Sequence, residues 1–499
     1  MKDKLSFIKT WEASGNGVFE PDMIVAKAYK SVFASYRPKH FLYYQKNNRN
    51  KLGEAYDVQE EMDKFNKSGF KDFQNNNYLK TYFKGISVAI NHNKRVTKVI
   101  EKNNLDTISK TKLAQLFELS IESMKINFSY FLACQPQRFT RLEQAIKDKL
   151  SKSVSETETD EVFRVLSTPT ESTPVGDEQI DWHKLILKIK KERIFPLSEE
   201  FDEIVKKHHK KYAILGAADG KDPWSINHFI DTARKDKRSI SAIQSEIKNI
   251  SSRKGKLEKQ QKNFIKNHKI NREIRHLCSL LAKVGHRRLS MRIQGWMPLY
   301  EVMKKVIRAV ARRYSYDPEL IRFCTVDELI NITKGEVISR DLLAKRKNLF
   351  LLIYKYPNTR VFHGQEADKK FKELVPREDF EKMKEVKGTI AMKGKIVGRV
   401  LLFQWGDDMS EKVKKIKGSE NIILVTGQTR PQLMPLIVKC SAIVTDEGGI
   451  TSHSAIVSRE LGIPCIVGTR IGTRIFKDGD RVEVDANSGV VRILSLKSL

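Results

Sequence analysis

The residues of this chain best suited to chemistry lie in one stretch near its end: Thr445-Asp446-Glu447-Gly448-Gly449-Ile450-Thr451-Ser452-His453-Ser454-Ala455-Ile456-Val457-Ser458-Arg459-Glu460-Leu461-Gly462-Ile463-Pro464. A buried strand is expected to end at Thr445, and the glycine pair to make a tight turn. A helix then begins near Thr451 or Ser452, either of which can serve as N-cap, and Gly462 with Pro464 closes it. His453 falls in the first helical turn, where free backbone N–H groups and the positive end of the helix dipole gather. Two glycines let backbone approach an anion there. A neutral imidazole, with an ordinary pKa of about 6.5, is a nucleophile. A phosphoryl group bonded to it would sit among donors already aimed at negative charge. His453 is therefore the expected phosphoryl carrier, with Gly448, Gly449, Thr451 and Ser452 as phosphate-binding residues. Arg459 is a possible further contact. It lies six positions on, near the opposite helix azimuth, so pairing with Glu447, Glu460 or the connector competes with that role.

The elements around this stretch follow from a change of period at Gly388. Short β-branched runs appear at Ile396 to Phe403, Ile422 to Thr426, Ala442 to Thr445, Cys465 to Val467, Val482 to Val484 and Val490 to Leu494. They alternate with short helical stretches, the pattern of an α/β unit. Upstream the chain reads as helical. Leu113, Leu116, Phe117, Leu119, Ile121 and Met124 recur at helical spacing. Residues 1–150 are expected as a helical region and 151–179, rich in Ser, Thr, Glu and Pro, as a mobile linker or long loop. Helix resumes over 180–356, with a very polar helix between Ser239 and Leu281 that could form a coiled-coil hairpin or an exposed arm. A charged connector covers 357–384.

The signature stretch resembles that of the phosphoenolpyruvate-utilising enzymes, the family of pyruvate phosphate dikinase, phosphoenolpyruvate synthase and rifampicin phosphotransferase. Gly449, Thr451, His453, Ser454, Ala455, Ile456, Val457, Ser458 and Arg459 fit its phosphohistidine pattern in order. Lys387-Gly388 through Gly394 and Gly398 resembles the family's domain opening, and Lys477-Asp478-Gly479-Asp480 through Asp485 and Gly489 its closing strands. Gln428-Thr429-Arg430-Pro431 resembles the loop before the signature, which makes Thr429 and Arg430 possible site residues. The likeness covers about 385–497 and implies that residues 385–499 form a swivelling β/β/α phosphohistidine domain. The fold expected for the whole is thus multidomain: a large, mainly α-helical N-terminal region plus a C-terminal α/β swivelling domain. His286-Arg287-Arg288, Gly295-Trp296 through Glu301, Phe323 through Leu329, and Phe362-His363-Gly364 resemble the helical connector of the same relatives.

That family also needs an ATP-grasp or a barrel domain, and neither is evident. The stretch Gly216 to Asp222 is one residue too short for a phosphate loop and lacks the Ser/Thr after Lys221. The resemblance therefore implies a phosphotransferase component with a separate ATP-grasp subunit, which would bring ATP and Mg, and a small-molecule acceptor. No cofactor or metal is assigned to this chain. His208-His209 reads as a solvated basic face, His363 as a hydrogen-bonded loop residue, and Trp296 with Tyr300 as core.

Composition narrows the alternatives. The 499 residues carry a formal charge of +31, of which residues 385–499 hold +5 (17 basic, 12 acidic) and the rest +26. Such a surface suits polyanions, so a non-catalytic basic module for RNA or an acidic protein is the alternative reading. The basic residues are dispersed and do not interleave with aromatics, which disfavours nucleic acid. Five scattered cysteines, no apolar leader and no long uncharged apolar run point to a cytoplasmic protein without membrane association.

Overall fold

The computed structural model describes residues 5–495 apart from 15, 47–51, 220–222, 376–382, 405–406, 415, 417–419, 430–432 and 449–451. Five strands form one antiparallel sheet: β1 (Phe7–Ser14), β2 (His40–Lys46), β3 (Leu52–Val58), β4 (Leu349–Lys355) and β5 (Asn358–His363), in the order β1-β3-β2-β4-β5. Two segments more than three hundred residues apart thus meet, Phe41 opposite Tyr354 and Tyr43 opposite Leu352. The interior strand β4 explains the apolar run at Leu349. Phe350, Leu352 and Tyr354 face the helical core, while Leu349 and Leu351 face a second cluster under helix Gly364–Leu374. A strand covered on both faces shows no alternation of polar and apolar residues.

The region expected to be helical over 1–150 therefore opens with three strands, and the expected connector 357–384 holds β5 and a helix. Helix dominates elsewhere. Asn76–Glu101, Lys110–Ala133 and Met297–Arg313 pack together over the first sheet. Their starts are chemically marked: Asn75 accepts from the N–H groups of Asn77 and Tyr78, and Ser109 from that of Lys112. Leu113, Phe117, Ile121 and Met124 are buried, joining Leu299, Val306 and Phe350 in one core. The spacing read from the sequence is the face this helix buries.

The segment expected as a linker over 151–179 is largely folded. Helix Glu156–Leu166 buries Val162 and Phe163, and helix Pro174–Lys191 starts at a Thr173 cap. The exposed face of Glu156–Leu166 carries Glu158, Asp160 and Glu161, which has the composition of a loop, but Val162, Phe163, Val165 and Leu166 are all buried, and these anchors decide. The polar helix Ile240–Asn267 packs on Pro174–Lys191, while Arg272–Ser290 packs on Thr140–Leu150 and Glu156–Leu166. Each lies against the body, so neither forms the expected arm or coiled-coil hairpin. His208, expected in solvent, is buried, with its Nε2 3.1 Å from Glu178 Oε1 and its ring among Trp182, Tyr212 and Phe229.

A second sheet of eight strands occupies the C-terminal part: β6 (Glu385–Lys387), β7 (Thr389–Met392), β8 (Lys395–Phe403), β9 (Ile422–Thr426), β10 (Ala442–Thr445), β11 (Cys465–Val467), β12 (Arg481–Asp485) and β13 (Val490–Ser495). Their order is β6-β13-β12-β8-β9-β10-β11-β7. Strands β8 through β11 run parallel, and the flanking pairs are antiparallel. Val425, Val444 and Ile466 face one core with Ile475 and Phe476, while Leu424, Ile443 and Val467 face another with Leu436 and Val457. All five cysteines are buried and free. Among the described residues no helix is long and apolar enough to cross a membrane.

Candidate functional site

The site grows from the C-terminal ends of two parallel strands. Thr426 ends β9 and Thr445 ends β10, side by side in register. Both hydroxyls turn back on the following chain, Thr426 donating to the Gln428 carbonyl at 3.4 Å and Thr445 to that of Glu447 at 2.8 Å. The two loops stay paired, because the N–H of Asp446 donates to Thr426 O and that of Glu447 to Gly427 O. Gly448 then bends the chain at φ +107°, where a Cβ would stand 2.9 Å from that of Ser452. The turn therefore needs glycine on both conformational and steric grounds.

Ser452 is the N-cap, its Oγ accepting from the Ala455 N–H, and His453 is the first residue of helix His453–Leu461. The first turn of a helix presents N–H groups that have no partner within it. Gly462, left-handed at φ +68°, ends the helix, and the Ile463 N–H returns to Ser458 O. Ser454, Ala455, Val457 and Ser458 are buried against the sheet. Thr429, from the preceding loop, donates to Ser454 Oγ at 3.0 Å in a buried contact. The structure thus brings Thr429, Gly448, Ser452 and the backbone of His453 together. Gly449, Thr451 and Arg430, and the side chains of His453 and Arg459, lie outside the described residues.

A neighbouring loop, between β11 and helix Gly472–Ile475, was not anticipated from sequence. Asp446 joins the two. Its carboxylate accepts from the Thr469 hydroxyl at 2.7 Å, from the Thr473 N–H at 3.2 Å and from the Thr473 hydroxyl. The N–H groups of Thr469 and Arg470 donate to the carbonyls of Thr445 and Asp446, both at 3.0 Å. Gly472 makes room, since a Cβ there would lie 2.8 Å from Thr469 Oγ1. A signal for this loop is present in the sequence: Gly-Thr-Arg-Ile stands twice in succession, 468–471 and 472–475, and both threonines bind the same carboxylate.

The same short helix touches the first sheet. Arg474 donates to the Tyr56 hydroxyl at 3.4 Å, with its guanidinium 5.9 Å from that ring. Tyr56 in turn donates to Glu54, which also pairs with Lys9 at 2.8 Å. Burial acts to raise the Glu54 pKa, but Lys9, the nearby Arg474 and the Tyr56 hydroxyl together hold it below its ordinary value. Burial and then the Glu54 charge push the Tyr56 pKa up, so the phenol stays a donor.

Comparison with known proteins agrees with this geometry. Residues 418–489 match the family described as "PEP-utilising enzyme, mobile domain". Over 176 residues, 35% of this chain and 22% of the relative, the sequence is 36% identical to a probable phosphoenolpyruvate synthase of Archaeoglobus fulgidus. Over 132 residues, 26% of this chain and 15% of the relative, it is 46% identical to phosphoenolpyruvate synthase of Pyrococcus furiosus. Rifampicin phosphotransferase of Bacillus cereus is 26% identical over 232 residues, 45% of this chain and 25% of that protein. The matches span a quarter or less of these relatives' own lengths. The C-terminal part of this chain, including the loop and helix start at His453, is thus similar to the mobile domain of phosphoenolpyruvate-utilising enzymes.

Proposed function

We propose that this chain is a phosphotransferase component in which His453 carries a phosphoryl group from a donor to a small-molecule acceptor. The observation that carries the reading is the Ser452-capped helix opened by His453, set at the ends of parallel strands within the matched segment. In the loading step the lone pair of a ring nitrogen attacks phosphorus. An N–P bond forms, the donor's P–O bond breaks, and the leaving oxygen keeps that electron pair. In the second step an acceptor oxygen attacks the same phosphorus, the N–P bond breaks, and the imidazole is regenerated. The first-turn N–H groups and the helix dipole favour the phosphoryl charge throughout.

In this reading ATP and Mg²⁺ belong to a separate ATP-grasp subunit, and the helical region supplies the acceptor's station. The contact of Arg474 with Tyr56 supports that placement, because it sets the loop beside His453 against the sheet built into the helical region. The acceptor's identity and a cytoplasmic location belong to the same proposal.

Potassium phosphoramidate, which phosphorylates histidine without an enzyme, tests the carrier directly. The imidazole attacks phosphorus, the P–N bond breaks, and ammonia leaves with the imidazole proton. The acid-labile, alkali-stable label is expected on His453 well before the other ten of the chain's 11 histidines, and is expected to vanish in His453→Asn. With labelled ATP alone the chain is expected to stay unlabelled. Equal labelling of all histidines, or unchanged labelling of His453→Asn, would refute the proposal.

A further inference from the structure

Four non-glycine residues among those described have a left-handed backbone: Arg193, Lys269, Ser315 and Arg470, at φ 53°, 49°, 56° and 67°. The first three share one cause. Each follows a helix C-cap, and the next N–H returns across the helix end: Ile194 to Ile189 O, Ile270 to Ile265 O, and Tyr316 to Ala311 O. That bonding pattern requires a left-handed residue in the position they occupy. Arg470 ends no helix. It stands between β11 and helix Gly472–Ile475, where glycine would hold the same backbone without strain.

The repeated Gly-Thr-Arg-Ile isolates it further. Thr469 and Thr473 both hold Asp446, and Arg474 reaches Tyr56. Arg470 is exposed, and its guanidinium has no partner among the described residues. Its backbone, however, is tied to the phosphohistidine loop through the N–H bond to Asp446 O. Two residues earlier a Cβ on Gly468 would lie 3.1 Å from Gly448 O, and Gly448 itself abuts Ser452, the cap of the helix that His453 opens. A strained cation with no partner among the described residues is therefore held one loop away from the expected phosphoryl group.

We propose that Arg470 is a phosphate-binding residue whose guanidinium meets the phosphoryl group on His453. This rests on the carrier role of His453 given above. The planar fork of arginine matches two phosphoryl oxygens at once, and a charge-assisted pair of this kind favours both the loading step and the loaded state.

The test uses the full-length chain with phosphoramidate, following the rate of labelling at His453 and the half-life of the label. Arg470→Gly is expected to slow labelling and shorten the half-life, each by about tenfold, while Arg470→Lys retains part of both. Arg470→Gly should melt at or above the wild-type temperature, because glycine relieves the left-handed strain. Inorganic phosphate should raise the melting temperature of the wild type more than that of Arg470→Gly. Wild-type labelling rate and half-life in Arg470→Gly would overturn the assignment, as would a marked fall in its melting temperature, which would make the residue structural. If wild-type His453 is not labelled ahead of the other histidines, the carrier reading itself falls, and the wild type alone shows it.

Discussion

Replacing Asp446 with alanine removes one carboxylate from beneath three donors: the Thr469 hydroxyl, the Thr473 N–H and the Thr473 hydroxyl. A hydrogen bond to a charged group contributes about 1.5–3 kcal/mol. The carboxylate is half-buried, and the three bonds share one acceptor, so their loss is far from additive. An attachment of about 3 kcal/mol between the loops is the reasonable sum. The effect is local, because the backbone bonds from Thr469 and Arg470 to the carbonyls of Thr445 and Asp446 survive the substitution. Hydrogen exchange of the full chain reads it: 3 kcal/mol corresponds to an opening equilibrium raised by about a hundredfold. Peptides covering 465–476 should exchange that much faster in Asp446→Ala, and roughly tenfold faster in Asp446→Asn, which keeps an acceptor without its charge. Peptides covering β4 should not change. Labelling of His453 should slow in the same order. Exchange of 465–476 within threefold of wild type would show that the backbone bonds alone hold the loops, and the bracing role would be refuted.

Two further substitutions test the helical region. Arg138 is fully buried, bonded to Asp72, to the carbonyls of Phe65 and Ala133 and to Ser68, and stacked on Phe65 at 4.6 Å. Arg138→Ala should lose about 3–5 kcal/mol in urea unfolding, since it strands the Asp72 charge; a loss below about 1.5 kcal/mol would contradict that account. Asp57 is buried against the Thr10 and Tyr29 hydroxyls, and burial raises its pKa to about 6. Its native pKa exceeds the unfolded value, so the native state binds the extra proton, and stability falls as pH rises from about 4 to about 6. The advantage of wild type over Asp57→Asn should therefore shrink across that window, by up to about 3 kcal/mol. An advantage that stays constant or grows with pH would count against it.

The turn and helix start at His453 were legible because their determinants are local. A strand end, a glycine, a serine cap and a closing glycine lie within twenty residues, and each acts on its neighbours. The brace was not legible because Asp446 and Thr473 are 27 residues apart and only the parallel order of β10 and β11 brings them together. The first sheet failed for a related reason. β4 is apolar on both faces and pairs with β2 from near the chain's start, so neither periodicity nor proximity marked it. The helix Glu156–Leu166 was hidden by composition, its acidic exposed face outweighing the four buried apolar residues that anchor it.

The polar contacts around the site differ in strength in a way that suits the proposed transfer. Asp446 fixes the His453 loop to the Thr469–Thr473 loop through several short bonds to one charge, so the two are held as one piece. The contacts from Arg474 to Tyr56 are longer, a 3.4 Å hydrogen bond and a guanidinium 5.9 Å from the ring. A bond of that length to a neutral hydroxyl contributes about 1 kcal/mol or less. On the proposed reading the carrier gives up these contacts with Tyr56 when it moves, while its own site stays assembled. Glu54 and Lys9 remain behind, paired with each other, so departure of Arg474 leaves no buried carboxylate without a cation.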